Sequence, residues 1–294
     1  MEIKMKTNLV PWLLAVVAPV VWGSTYFVTQ KWLPGADPVW LAAVRVGIPA
    51  LFMVWLVPVQ VWQKFGLRLL LMSLLNITLF SGLLFYSISV LPGGVAATLV
   101  ATLPLQVILL RLVTGQGVEI AHLLAAVGGV VGVGMLLWRA DGALSPLGIS
   151  AALSAAFVMA AGVLMASRYS SDIKPLQLTA AQISLGGLCL LVFAGLSGHP
   201  FPEVTQEGVI AMLWMGPIGM GVAYWAWFRA MTSVPVHKLA FLGLLNPVVA
   251  VLGGVIIMGE VLSTGQISGM AIILGCILGA QLIGSRQAGT KSAA

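Results

Sequence analysis

Long apolar stretches alternate with short polar connections along the whole chain, and each stretch is nearly free of charge. The hydrocarbon core of a bilayer takes roughly 20 helical residues to cross. Inside that core every backbone N–H and C=O must be bonded within its own segment, so such stretches form helices. The pattern therefore predicts an all-α membrane protein with ten transmembrane helices. The predicted spans are residues 9–30, 39–61, 69–90, 94–110, 123–138, 147–166, 176–196, 209–228, 239–258 and 267–283.

The composition supports a membrane protein and argues against a nucleic-acid partner. Of the 294 residues, 60% are hydrophobic and 7% are charged, and the mean hydropathy is +1.07. These values leave too little polar surface for a soluble domain. The pI near 9.6 is also typical of nucleic-acid-binding proteins, but here the basic residues stand singly at helix ends. The partners that we expect are the lipid bilayer and a small-molecule substrate.

The distribution of lysine and arginine predicts the orientation in the membrane. With the N-terminus in the cytoplasm, eleven of the fourteen basic residues lie in cytoplasmic loops or termini. Lys31 and Arg139 lie outside, and Arg45 lies within a helix. An excess of Lys and Arg on the cytoplasmic side is the main determinant of topology. We therefore predict that both termini are cytoplasmic.

The two halves of the chain resemble each other. A shift of 143 residues places Phe85 on Phe228 and Pro104 on Pro247. Because each half has five predicted helices, an odd number, the second half enters the membrane from the opposite side. Inverted repeats of this kind are typical of secondary transporters with a binding site near the midplane. The predicted repeats are residues 1–140 and 141–294.

Four short motifs, taken in order, resemble the drug/metabolite transporter superfamily and its ten-helix EamA-type members. They are Trp22-Gly23-Ser24 in the first helix, Arg45 in the second, Asn246-Pro247-Val248 in the ninth and Gly259-Glu260 at its end. Within the superfamily the chain looks most like the YddG-type exporters of aromatic and other amino acids. The resemblance implies secondary export of amino acids from the cytoplasm, by alternating access, across the inner (plasma) membrane of a bacterium. Export of drugs or other small metabolites, nucleotide sugars among them, is the alternative within the same fold.

One residue departs from the repeat. Met159 stands where the second half could repeat Trp22, and it is not aromatic. We therefore expect a substrate cavity that is less aromatic than a strict repeat would produce.

Polar and aromatic side chains inside the apolar helices should face the protein interior rather than lipid. Ser81 and Phe85 are four residues apart, hence on one helix face, and the shift of 143 places them on Tyr224 and Phe228. We predict that these four residues line facing walls of one cavity. The competing interpretation is that the hydroxyl groups bond carbonyls of their own helices and that the aromatic rings only pack. The candidate substrate-binding residues are Trp22, Ser24, Arg45, Asn76, Thr78, Ser81, Phe85, Thr98, Thr102, Tyr224, Phe228 and Asn246.

Arg45 is the sharpest single candidate, because a charge inside the membrane is expensive and must be paired or hydrated. It lies seven residues past Pro38, roughly 10 Å down the helix at 1.5 Å per residue. One interpretation makes it the counter-charge for a substrate carboxylate. The other gives it a permanent partner, either Glu260, which is predicted near the outer face of the membrane as Arg45 is, or a ring of helix carbonyls.

Prolines and glycines suggest where helices bend and where they touch. Pro104 and Pro247 are equivalent in the two halves and are the predicted hinge pair, since proline kinks a helix. Gly128 with Gly132 and Gly275 with Gly279 form small faces that permit close helix contact. These faces could pair within one chain or across a homodimer. No obligatory protein partner is expected, and the sequence leaves monomer and homodimer open.

Enzymatic and cofactor chemistry is not expected. The sequence has no phosphate-binding Gly-x-x-x-x-Gly-Lys-[Ser/Thr] loop and no order of nucleophile, base and acid that suggests hydrolysis. His122, His199 and His237 are scattered, and Cys189 and Cys276 lack metal-ligand spacing. A membrane lipid enzyme would usually show clustered interfacial acids or histidines, and an ion channel would show charged rings.

The acidic residues bear on energy coupling. Proton-driven exporters commonly carry a carboxylate within the membrane, yet all eight acids fall in predicted loops or at helix ends. Glu260 is nearest to the membrane. We therefore predict that transport runs down the substrate's own gradient, or couples only weakly to protons, with Glu260 as the fallback coupling group.

Overall fold

A computed structural model describes residues 9–137, 144–168, 173–234, 239 and 242–293, with only the backbone described for 137 and 284–293. All regular structure in these residues is helical. Eight helices are long and apolar enough to cross a membrane, and two apolar helices, α5 and α9, are shorter. The helices are α1 (Val10–Trp32), α2 (Pro38–Leu56), α3 (Val59–Val90), α4 (Gly93–Val113), α5 (Ile120–Leu137), α6 (Pro146–Ser167), α7 (Pro175–Leu196), α8 (Gln206–Met231), α9 (Leu245–Met258) and α10 (Thr264–Ala293).

The all-α class predicted from the sequence is confirmed over the described residues. Helix length alone supports eight crossings, and the predicted spans 123–138 and 239–258 fall on the two shorter helices. The predicted boundary between residues 140 and 141 lies outside the described residues, as do His237 and Arg139.

The junction between α2 and α3 differs from the prediction that one span covers 39–61. The last turn of α2 tightens into a 3₁₀ turn, Val54–Leu56, and Val57 is extended. Pro58 explains the break, because proline restricts the preceding residue to extended conformations and cannot continue a helix. A short segment then begins α3 and turns at Gly66, whose φ is 43°.

Several helices are interrupted near their middle. A π-helical turn interrupts α3 at Leu74–Leu79, and another interrupts α8 at Trp214–Val222, which contains Pro217. In α4 the helix Gly93–Val100 ends before Pro104, which sits in the first turn of the next segment. Pro247 likewise lies in the first turn of α9. Such wide turns and breaks expose backbone groups inside a helix and are frequent at functional sites.

Close helix contacts rely on glycine. α5 packs along α10, and a Cβ on Gly132 would lie 3.0 Å from the carbonyl oxygen of Gly269. The Gly128 and Gly132 face is therefore used inside the chain. Gly275 and Gly279, by contrast, have open space where a side chain would point.

The outer surface is apolar. Every helix carries large apolar side chains that the structure leaves exposed, for example Phe157 on α6, Val192 on α7 and Ile256 on α9. A contiguous apolar exterior around polar interior groups is the surface of a protein surrounded by lipid. The chain is a multi-pass membrane protein.

Candidate functional site

A cavity of about 680 Å³ lies between helices of both halves of the chain. α1, α2, α3 and α4 contribute to its wall from the first half, and α6, α8, α9 and α10 from the second. Its lining includes seven of the twelve candidate substrate-binding residues and both predicted hinge prolines. These are Trp22, Arg45, Asn76, Ser81, Tyr224, Phe228, Asn246, Pro104 and Pro247.

Aromatic rings form one wall of the cavity. The ring centroids of Trp22 and Tyr224 are 5.0 Å apart, and Trp227 lies 6.0 Å from Trp22. Phe228 stacks on Tyr224 at 6.1 Å with an interplanar angle of 21°. The indole N–H of Trp22 donates to the carbonyl oxygen of Gly219 at 2.8 Å, a bond that orients the ring. This wall can hold a planar apolar group.

Arg45 points a charge into the cavity without a described counter-ion. It is 5% exposed, and its Nε atom is buried without a hydrogen-bond partner. Among the described residues, no Asp or Glu forms an ion pair with it. Its guanidinium carbon lies 5.5 Å from the centroid of the Phe85 ring, and the phenols of Tyr26 and Tyr224 line the same cavity. The predicted permanent partner Glu260 is not bound to it, because that carboxylate is engaged elsewhere.

Two amide side chains supply unpaired acceptors. Asn76 donates through Nδ2 to Oε1 of Gln182 at 2.6 Å, which leaves its Oδ1 buried without a partner. Gln281 of α10 also lines the cavity, and its Oε1 is buried without a partner. Gly162 permits this arrangement, because a Cβ there would collide with the Asn76 amide. Both oxygens are shielded by neighbouring atoms, so the two amide groups line the cavity while these acceptors do not face it.

Five candidate substrate-binding residues lie outside the cavity lining. Phe85 is fully buried behind Arg45. The hydroxyls of Ser24, Thr98 and Thr102 donate to carbonyls of their own helices at 2.6 to 2.8 Å, and Thr78 donates to Gly186 of α7 at 3.2 Å. Serine and threonine hydroxyls in helices often donate to carbonyls of the same helix. The bonds of Ser24, Thr98 and Thr102 agree with the competing interpretation, in which hydroxyl groups bond their own helices.

The candidate list omitted several lining residues, among them Tyr26, Gln281 and Trp227. Tyr26 follows Trp22 by four residues on the same face of α1, so helical periodicity could have identified it. Gln281 could have been identified because it is a polar residue inside an apolar helix. Trp227 carried no separate signal, because tryptophans also face lipid and interfaces.

A side compartment of about 340 Å³ adjoins the cavity. It shares Asn76, Met159 and Tyr224 with the main cavity and extends to Ser167 at the end of α6 and Pro175 at the start of α7. The non-aromatic Met159 therefore stands in the wall between the two spaces.

The cavity extends toward one end of the helix bundle. Its lining reaches Met231, the last residue of α8, together with Gly243 and Gln281. α6 ends at the same side, where the side compartment lies.

Hydrogen bonds connect the helices at the opposite end. Gln30 donates through Nε2 to the carbonyl oxygens of Ile88 and Leu91 at 3.1 and 2.8 Å. His199 Nδ1 lies 2.7 Å from Asp37 Oδ2, which joins the start of α2 to the loop before α8. These contacts close the bundle at this end.

Glu260 makes a further closing contact at this end. Its Oε1 accepts from the N–H of Gly93 at 2.6 Å and its Oε2 from that of Gly94 at 3.3 Å. A carboxylate is favourable there, because the first N–H groups of α4 are otherwise unpaired and carry partial positive charge. Gly259, with φ 70°, turns the chain after α9 so that the side chain reaches this position. The contact joins the two halves of the chain.

Comparison with known proteins places this architecture among transporters. The sequence profile of the EamA-like transporter family matches residues 10–138 and 146–281. Protein PecM of Dickeya dadantii is 33% identical over 271 residues, which is 90% of this chain and 90% of that protein. The uncharacterized inner membrane transporter YedA of Escherichia coli K12 is 24% identical over 87% of this chain and 85% of its own length.

A solved crystal structure shares the fold. It superposes with a TM-score of 0.61 over 94% of this chain and 98% of that one, at 20% sequence identity. The likeness extends through nearly the whole helix bundle.

Proposed function

The chain belongs to the EamA-like transporter family, and from this premise we propose that it exports amino acids, aromatic and other neutral ones, from the cytoplasm. The observation that carries the proposal is the central cavity of about 680 Å³, whose lining combines an aromatic wall with Arg45 and the neutral amides of Asn76 and Gln281. An aromatic amino acid offers a ring for the wall and a carboxylate for the guanidinium. No comparison supports the YddG-type subtype, so this substrate class rests on the cavity and the sequence motifs.

Alternating access between two inverted repeats is the proposed mechanism, with the repeats at residues 1–140 and 141–294. The helix packing supports such a relation, because α1 packs on α9 as α6 packs on α4, and α3 packs on α6 as α8 packs on α1. The positions of the π-helical turns in α3 and α8 also correspond under the shift of 143 residues. The proposed hinges are Pro104, which follows the break in α4, and Pro247, which lies in the first turn of α9.

With both termini in the cytoplasm, as the basic residues predict, the cavity extends toward the cytoplasm and the contacts of Glu260, Gln30 and Asp37 close the periplasmic end. Substrate then enters from the cytoplasm, and release outside requires that these contacts break. The membrane in question is the bacterial inner membrane.

Export of drugs or other small metabolites remains the second candidate, because an apolar cavity of this size also suits them. Cationic drugs are the least favoured of these, since Arg45 is the only charged side chain among the described residues that line the cavity. Like charges in a site of low dielectric constant repel each other strongly.

Uptake into proteoliposomes tests the proposed function. The purified protein is reconstituted, and flux is compared for phenylalanine, tryptophan, leucine, a quaternary ammonium drug and a sugar nucleotide, with empty liposomes as the control. We expect saturable flux of the aromatic amino acids. Flux of the drug or the sugar nucleotide alone would reject amino acid export in favour of the second candidate.

A further inference from the structure

The charge of the cavity restricts the class of substrate that the protein binds. This inference rests on the proposed function. We propose that the cavity recognises the carboxylate of an aromatic substrate and, among the described residues of its wall, provides no acidic partner for an ammonium group. Aromatic monoanions, in which a hydroxyl replaces the amino group, are then better ligands than the corresponding amino acids.

The first observation is the unbalanced charge of Arg45. The side chain is 5% exposed, and its Nε is buried without a partner. No Asp, Glu, Lys or His is among the described residues of the cavity wall. Removing a charge from water without a counter-ion is strongly unfavourable, so a bound anion stabilises the protein while a zwitterion adds a second charge that needs its own partner.

The second observation is the nature of the remaining polar groups. Apart from Arg45, the polar side chains of the wall are neutral, for example Ser81, Asn76 and Gln281, and a neutral polar side chain can accept from an N–H or O–H donor. A hydroxyl needs only such an acceptor. An ammonium group brings a full positive charge, which Arg45 repels in a site of low dielectric constant.

The third observation is the position of the aromatic wall. Tyr224 interacts with Trp22 on one side and Phe228 on the other, and it lines the same cavity as Arg45. A ligand that carries both a planar ring and a carboxylate offers one group to each of these two features.

Isothermal titration of the full-length protein in nanodiscs tests this inference with three matched probes: 3-phenyllactate, phenylalanine and phenethylamine. The first has carboxylate and hydroxyl, the second carboxylate and ammonium, and the third ammonium alone. We expect phenyllactate to bind about tenfold more tightly than phenylalanine, and phenethylamine to show no binding.

The Arg45→Gln variant should weaken phenyllactate binding by at least about tenfold and remove the preference. Arg45→Lys keeps the positive charge and should retain the preference, which makes the test independent of whether Arg45→Gln folds. Arg111→Gln, at an exposed position on α4 outside the cavity lining, is the matched control and should bind all probes as the wild type does.

Phenylalanine binding equal to or tighter than phenyllactate binding would overturn the inference and leave amino acid export standing. Binding of phenethylamine alone would overturn both proposals. A preference for phenyllactate that persists in Arg45→Gln would also overturn the inference, because it would show that another group selects the carboxylate.

Discussion

Replacing Glu260 with glutamine should open the end of the bundle that its carboxylate closes. The carboxylate accepts two backbone N–H groups, from Gly93 and Gly94. A hydrogen bond to a charged group contributes about 1.5–3 kcal/mol and a neutral one about 0.5–1.5 kcal/mol. The charge itself adds about 0.3–1 kcal/mol at a helix start. Glu260 is only partly buried, and the bond to Gly94 is long at 3.3 Å, so only the shorter bond is counted. Its loss of charge costs about 1 kcal/mol and the loss of charge at the helix start about 0.4 kcal/mol. The sum of about 1.4 kcal/mol is a factor of ten in the equilibrium between the closed and open states of this end.

Cysteine accessibility measures that shift. Leu84 is 4% exposed and lines the cavity, so Leu84→Cys, in a background without Cys189 and Cys276, reports entry of an impermeant maleimide from the periplasm. Glu260→Gln should raise its labelling rate about tenfold. Glu119→Gln, an exposed acid before α5, is the matched control and should leave the rate unchanged. A folded Glu260→Gln variant with an unchanged rate would refute the role of Glu260 in closing this end.

Three further predictions test the site, the packing and the topology. Tyr224→Ala should change the relative flux of aromatic and aliphatic substrates while the protein level in the membrane, measured by immunoblot, stays close to wild type. Gly162→Ala should destabilise the protein by about 1–3 kcal/mol in thermal unfolding, because the added methyl collides with Asn76. Gly134→Ala, which adds a methyl in open space, should have little effect, and equal losses in the two variants would contradict the packing argument. Cysteines replacing Ser145 and Lys291 should label from the periplasmic and cytoplasmic sides respectively; labelling of both from one side would refute the orientation.

The sequence predicted the helices well, because a membrane core forces long apolar stretches into helices. The hydropathy pattern did not predict helix breaks and wide turns, which depend on individual residues and on local backbone geometry. Pro58 ends α2 inside a predicted span, and the π-helical turn at Leu74–Leu79 left no pattern that hydropathy could register.

The candidate site could be predicted in part, from helical phase and from the likeness of the two halves. Tyr224 and Phe228 were found in this way, and both line the cavity. The hydroxyls of Thr98 and Thr102 were assigned to the cavity because sequence cannot reveal whether a hydroxyl bonds its own helix. The pairing of Asn76 with Gln182 joins residues 106 positions apart, and only the fold brings them together.

Glu260 and Arg45 show the same limit for charged groups. Both were predicted near the same side of the membrane, which made an ion pair reasonable. The fold instead places the Glu260 carboxylate on the start of α4, and it leaves Arg45 facing the cavity without a described acid. The predicted depth of a charged residue in the membrane was therefore not enough to identify its ion-pair partner.

Energy coupling follows from the same residues. No acid or histidine is among the described residues that line the cavity, so we expect flux to follow the substrate gradient. A pH step across proteoliposomes, with the substrate gradient held at zero, should drive no net transport. Uphill transport that Glu260→Gln abolishes would instead identify that carboxylate as the coupling group.

Counterflow tests the central claim, that one cavity is exposed alternately to the two sides of the membrane. Proteoliposomes loaded with unlabelled phenylalanine are diluted into a trace of labelled phenylalanine, with no pH gradient. An alternating-access carrier should accumulate label transiently above its equilibrium level, because each exit of unlabelled substrate returns the site for labelled entry. Label that rises only to equilibrium, at a rate independent of the internal substrate, would indicate a channel and contradict the account.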